Sequence, residues 1–488
     1  MTPQASFIFS SRGAGRLRKY IKRILCVVLL VCLSLGGLHI LSTVTERKDS
    51  RAKYAAFFEA TQDLDVLYLG TSHVLNAFFP MELWKDFGVT SYNLAGHSST
   101  MALNYWVLMN ALEYTSPRLV IIDCYGACLE EKCTSVDYVH LSLDAFPLTR
   151  TKLAAINDLF DADSGRRFDF IWDFSVYHSR WKELTSEDFK TPTSPEKGAD
   201  SRVGVAVPAV SAPSAKALDV SPDNTGISYL RRIAEECRAR GIDVLLTYLP
   251  FPAGEHEWME ANYISGFAAA HGLDYINFLG TDVVSFDTDC YDAASHLNPS
   301  GARKTTRYLG EYIRANYGLP DRRGDEAYSS WNADYSAYLA LKRGLLTGQN
   351  ELAVWLMLLS GADIDSFVCI PAGSPALADE RIQKLIINLD PSGSGGDLDA
   401  AGGLLAVCEG GALRLYDMAE FSRGIPAAAG RLQLITQGDG GRITLDGESI
   451  FEFSGAFPDA AVAFDAGSGS VCAKSFSAAG NGTYVISD

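Results

Sequence analysis

The chain has 488 residues, 47% of them apolar and 21% charged, with a formal net charge of −17. This is ordinary globular composition, long enough to bury the cores of two or three domains. The acidic balance argues against a nucleic-acid partner, because phosphate contacts need a surplus of Lys and Arg.

The first 23 residues carry Arg12, Arg16, Arg18, Lys19, Lys22 and Arg23 and no acid, and Ile24 to Val44 is free of Lys, Arg, Asp and Glu. Such a run is long enough to span a bilayer, which takes about 20 residues. A secretory signal peptide has the same basic start, but its apolar centre is shorter, about 7 to 15 residues, and an A-x-A-like cleavage site follows; none is visible after Leu41. The expected layout is a basic cytoplasmic leader (1–23), a single transmembrane anchor (24–44) and an extracytoplasmic remainder, at the plasma membrane. Without the six leader charges the remainder carries −23.

Apolar runs and helical periods then alternate. DVLYLG (65–70) predicts a buried strand, followed by a short amphipathic segment. SYNLA (91–95) predicts a second strand and MALNYWVLMNALEY (101–114) a helix, and RLVIIDC (118–124) a third strand. A stretch from 125 to 224 interrupts the pattern and is too long for an ordinary loop. Its aromatic part, with Trp172, Tyr177 and Trp181, is either a lid over the sheet's rim or a flank insertion with its own small core. Its Ala-, Val-, Ser- and Pro-rich end predicts a mobile arm. A helix over 227–241 leads into DVLLTYLP (243–250), and a further helix into DYINFL (274–279). Five apolar strands separated mostly by helices indicate a parallel sheet covered on both faces. From about 321 two helical segments (331–343 and 350–359) precede a Gly-rich region with alternating runs such as RLQLIT and SIFEFSG, which predicts a small antiparallel β domain. The α/β domain is expected over 60–320 and the helical connector with β-rich domain over 321–488. Eight cysteines outside the anchor lack any C-x-x-C pair, which argues against zinc. Outside the cytoplasm Cys128 and Cys133 either form a disulfide or stay as thiols.

Ser72 stands where the first strand stops at Gly70 and a helix begins, so it is either a nucleophile lifted to the rim of the sheet or a helix N-cap. Of the eight histidines, His296 alone lies after the last strand just ahead of a helix start marked by Asn298 and Pro299. His73 adjoins the serine and either touches substrate or is a polar rim residue. Asp123, at the tip of strand three, is a rim carboxylate or a loop cap, and Asn93 holds the turn around Gly96 or contacts ligand.

With GTS after strand one, NLAG after strand two and D-x-x-x-H-L-N-x-x-G-A before the last helix, the chain resembles the SGNH/GDSL hydrolase superfamily. Its anchored layout resembles the cell-surface members associated with D-alanyl transfer to teichoic acids and O-acetylation of exopolysaccharides. The resemblance covers about 65–317 without the insertion. It implies a flavodoxin-like three-layer sandwich, Ser72 as nucleophile, His296 as general base with an orienting acid, and an oxyanion hole from the N–H groups of Ser72 and Gly96 plus an Asn side chain after strand three. Two departures stand out. Strand three ends in DCYGA with no Asn, and losing one oxyanion donor costs about 100- to 1000-fold in rate. The acid, Asp292 with Asp289 as alternative, lies one residue farther from the histidine than in the family's D-x-x-H. The implied activity is a membrane-tethered esterase or O-acyltransferase on acyl esters of cell-envelope glycans, needing no metal or cofactor. Possible partners are the glycan and a membrane acyltransferase. The alternative is a catalytically silent surface module that binds one of these.

Overall fold

The computed structural model describes residues 11–46, 48–60, 64–172, 174–190, 194–294, 296–360, 362–390, 402–410, 412–428, 430–437, 440–467, 470–479 and 482–487. The chain opens with a helix over Ser11–Thr45 whose Arg18–Thr45 part is long and apolar enough to cross a membrane, with a mean hydropathy of 2.7 in its most apolar window and no part of that window buried. A second helix, Lys48–Ala60, follows after Glu46 and residue 47. It is no spacer, because Tyr54, Ala56, Phe57 and Ala60 are buried in the core of the following domain.

That domain is built on five parallel strands: β1 (Val66–Leu69), β2 (Ser91–Asn93), β3 (Leu119–Asp123), β4 (Asp243–Tyr248) and β5 (Asp274–Asn277), in the order β2-β1-β3-β4-β5. This is the flavodoxin-like order, with its switch point between β1 and β3, where ligands bind outside the carboxyl ends of the strands. β1, β2 and β3 are buried at every position, as befits strands covered on both faces. One face packs with the Met101–Ala111, Thr225–Ala239 and Glu255–His271 helices, and the other with the Pro80–Phe87 and Pro299–Asn316 helices.

The end of the stretch between β3 and β4 is not a mobile arm. Residues 201–221 form no helix or strand, yet they are tied down along their length. Ala206 N donates to Cys290 O, Asn298 Nδ2 to Gly204 O, Leu218 N to Met259 O, and Asn262 Nδ2 to Ser214 O and Lys216 O. Backbone pairing with neighbours replaced the secondary structure that the composition lacks. Its aromatic part contains a small core in which His140 stacks on Phe170 at 3.9 Å and pairs with Asp144. Cys128 and Cys133 are free thiols.

The C-terminal region is more elaborate than a small β domain. Six antiparallel strands lie in the order Tyr484–Ile486, Ser470–Ala478, Ala460–Gly467, Ser366–Ile370, Leu404–Glu409 and Ala412–Tyr416. A four-stranded sheet runs Glu448–Ser454, Gly440–Leu445, Gly430–Gln437 and Ile425–Ala427. The larger sheet packs one face on the apolar helix Leu352–Leu359 and the amphipathic helix Glu380–Ile387, and the other on the smaller sheet. This region docks on the Pro299–Asn316 helix. Arg303 Nε donates to Ser360 O at 3.1 Å, and Lys304 Nζ reaches Asn388 Oδ1 at 3.0 Å. Beneath the Pro80–Phe87 helix, Glu82 accepts from Lys342 and Tyr338, all three buried.

Candidate active site

β1 ends at Gly70, whose φ of +152° and surroundings require glycine: a Cβ there would lie 2.6 Å from Val74 Cγ2 and 2.8 Å from Asp123 Cβ. The chain then turns at once into the helix Ser72–Ala77. Its N-cap is Thr71, whose side chain accepts from His73 N, so the capping task falls to the residue before Ser72 and leaves the serine hydroxyl for other partners. Ser72 Oγ lies 2.9 Å from His296 Nε2.

His296 is delivered by a tight loop. Cys290 bridges to Leu297 and Ala206, Tyr291 N donates to His296 O, and Asn298 caps the Pro299–Asn316 helix through Ser300 N and Gly301 N. Asp292 Oδ2 lies 2.7 Å from His296 Nδ1, while Oδ1 accepts from the backbone N–H groups of Ala294 (3.0 Å) and His296 (3.1 Å). These two turn bonds absorb the extra residue in D-x-x-x-H. Asp289 is turned elsewhere. Fully buried, it accepts from Ser285 N, Thr288 Oγ1, Ser300 Oγ and Lys304 Nζ, and so fastens the loop to the helix rather than orienting the histidine.

One expected role is corrected by hydrogen bonding. Gly96 N donates to Gly70 O at 3.1 Å, so it is spent joining the two strand-end loops and is not aimed at a reacting oxygen. Ser72 N has no acceptor among the described residues, and it is the donor left beside the hydroxyl. Asn93 takes the turn-holding one of its two expected roles: Nδ2 donates to Val74 O and Phe78 O, and Oδ1 accepts from Ala95 N, which pins the Ser72 helix to the turn around Gly96.

His73 is buried, with its ring 4.2 Å from Tyr125, 4.6 Å from Phe251 and 5.7 Å from His296, centre to centre. Burial, then the neighbouring His296, pushes its pKa down to about 3, so the ring is neutral at pH 7. Its Nδ1 is buried with no hydrogen-bond partner among the described residues. Asp123 acts as a brace between strand ends, accepting from Leu249 N, and burial raises its carboxyl to about 7. Where an Asn would follow strand three, the loop is held by Glu260, which accepts from Gly126 N and Cys128 N.

Tyr125 and Phe251, the aromatic wall beside His73, were not singled out from sequence. Their signal was position alone, since each follows the carboxyl end of a central strand. Beyond Gly96 lies a pocket of about 420 Å³, lined among others by Lys53, Leu75, His97, Ser142, Asp200 and Arg202. Lys53 belongs to the helix next to the apolar span. Its amine donates to Ala95 O, and burial lowers its pKa to about 7. No group of His, Cys, Asp and Glu able to hold a metal ion occurs among the described residues.

The line from carboxylate to imidazole to hydroxyl is the geometry of nucleophilic catalysis by an activated serine. No family model and no curated protein matches the chain. Among solved structures, the chain is similar to one named as a lipolytic protein of the G-D-S-L family from Desulfitobacterium hafniense DCB-2. The two are 12% identical, the match covers 50% of this chain and 97% of that one, and the TM-score is 0.27.

Proposed function

We propose that the protein is a membrane-tethered serine esterase or O-acyltransferase of the SGNH/GDSL type, acting outside the cytoplasm on acyl esters of cell-envelope glycans. The observation that carries the reading is the unbroken Asp292–His296–Ser72 contact at 2.7 and 2.9 Å. In this reading Ser72 Oγ attacks the ester carbonyl and His296 Nε2 takes its proton. Asp292 keeps the other ring proton on Nδ1. The oxyanion faces Ser72 N–H. Collapse expels the alcohol, which recovers the proton from His296, and leaves an acyl-Ser72 that water or a sugar hydroxyl resolves with His296 again as base. The pocket beyond Gly96, whose mixed lining includes Lys53, Asp200 and Arg202 beside Leu75 and Tyr54, gives room for a substrate larger than its acyl group and supports a glycan ester.

A second reading, a silent module that binds glycan or a membrane acyltransferase, is favoured by one observation: with Gly96 N engaged and no Asn directly after β3, Ser72 N is the one oxyanion donor identified among the described residues. A fluorophosphonate probe separates the two. Labelling of Ser72, abolished in Ser72→Ala and His296→Ala, is expected. Labelling that persists in Ser72→Ala overturns the nucleophile, and a wild-type chain that never labels supports the silent module.

A further inference from the structure

The apolar helix emerges bare and then becomes covered. Its side chains are exposed from Arg18 through Leu41, and from Ser42 onward they are shielded, with Thr45 buried. The cover comes from the insertion. Three short helical turns, Phe174–Tyr177, His178–Lys182 and Ser186–Phe189, pack against the end of the helix. Arg180 acts as its C-terminal clamp. Nη1 donates to Thr45 O at 2.7 Å and Glu46 O at 2.6 Å, and Nη2 is held by Asp188 at 2.9 Å. A guanidinium on the last carbonyls of a helix satisfies groups that otherwise have no partner, and it complements the negative end of the helix dipole.

The same part of the insertion carries five exposed large apolar side chains: Phe168, Ile171 and Trp172 just before these turns, and Trp181 and Phe189 on them, the last two 66% and 69% exposed. A soluble surface rarely gathers such residues without a partner. We propose that this face of the insertion lies in the interfacial layer of the bilayer entered by the Arg18–Thr45 helix, a proposal that rests on the membrane-tether reading above. Continuity decides the occupant, since Trp181 and Phe189 sit on the very turns that collar the helix where it leaves its apolar stretch, and Trp172 lies two residues before the first of them. Tryptophan and its apolar neighbours suit the headgroup level, where an amphipathic ring has both an oily and a wet side. Charge does not drive the docking, because residues 161–190 hold five basic and seven acidic residues. The surface recognised is therefore the apolar edge of a neutral bilayer rather than an anionic headgroup. Two attachments, the span and the collar, fix the orientation of the Ser72 domain over the membrane, where one alone leaves it free to swivel.

The test uses the full chain in phosphatidylcholine nanodiscs with acyl chains brominated near the headgroup end, against discs without bromine. Two of the chain's seven tryptophans lie on the patch, so emission should fall by about a quarter in brominated discs if they sit at the interface. The double variant Trp172→Phe, Trp181→Phe should lose that quenching, while its co-elution with the discs is unchanged. Each single variant should lose part of it. Co-elution without any quenching of wild type overturns the docking and leaves the tether standing. Quenching that survives in the double variant places other tryptophans at the lipid and also overturns it. A chain that separates from the discs overturns the tether, and the docking with it. Two chains per disc with unquenched tryptophans would assign the patch to a second copy instead.

Discussion

Replacing Asp292 by Asn changes one atom's charge and proton content, and the turn around it dictates how the amide must sit. Asp292 Oδ1 accepts from Ala294 N and His296 N, and Asn can keep both bonds only by placing its oxygen there. Its NH2 group then faces His296 Nδ1 across the present 2.7 Å contact, and a donor in that place forces Nδ1 to become an acceptor. The ring proton moves to Nε2 and points at Ser72 Oγ, 2.9 Å away, so the base can no longer take the serine proton. Wrong-tautomer relays of this kind lose about 10,000-fold in turnover, which is about 5.5 kcal/mol of barrier at 1.36 kcal/mol per tenfold. Hydrolysis of p-nitrophenyl acetate by wild type, Asp292→Asn and Ser72→Ala as zero measures it. A thermal midpoint within about 2 °C of wild type would show the turn intact, since a shift that small corresponds to a fraction of a kcal/mol. Turnover within tenfold of wild type at unchanged stability would refute the relay. A wild-type rate equal to that of Ser72→Ala would move the reading to a silent module.

The other carboxylate should behave in the opposite way. Asp289→Ala strips a fully buried acceptor from Lys304, Ser300 and the 285–289 loop, so it should cost about 3 kcal/mol of stability in a urea titration while the turnover of the folded fraction stays within a few-fold. His73 gives a pH signature. Above pH 6.5 its ring is neutral in both states; below it the unfolded chain takes up a proton that the folded ring refuses until about 3, so stability falls with pH by about 1.4 kcal/mol per unit. Relative to wild type, His73→Phe should therefore gain about 2 kcal/mol between pH 6.5 and 5, and parallel pH profiles would contradict the burial argument. Gly70→Ala should cost about 2 kcal/mol or more and displace Ser72, seen as loss of probe labelling out of proportion to loss of fold. Protease added outside intact cells should degrade the chain beyond Thr45 and spare the basic leader; a protected C-terminus would reverse the orientation.

What the sequence disclosed followed physical constraint. β1, β3 and β4 were legible because buried parallel strands leave apolar runs, and the His296 loop because Asn298-Pro299 announces a helix start within two residues of the histidine. Ser72 and Thr71 were a different matter, since both are good caps and only three-dimensional geometry decides which one bonds His73 N. Gly96 shows a harder limit. The destination of a backbone N–H is set by which loop happens to lie opposite, and nothing in NLAG says that Gly70 O will claim it. The 203–224 arm differs from its sequence reading for the same reason, because extended segments held by hydrogen bonds to distant partners have no periodicity to detect. The aromatic wall of Tyr125, His73 and Phe251 joins three strand ends that no local pattern connects.

The junction between the apolar span and the Lys48–Ala60 helix sets a working radius. Only Glu46 and residue 47 separate the two helices, and two residues reach at most roughly 7 Å. A flexible tether of twenty residues would let a domain wander about 25 Å from its root. With the second helix locked into the core through Tyr54 and Phe57, an anchored domain cannot travel outward to meet a polymer embedded in a distant wall. On the proposed reading, its substrate would have to come within that radius. Grafting a long Gly/Ser segment between the span and Lys48 would then widen the zone of ester turnover without altering a single residue of the relay.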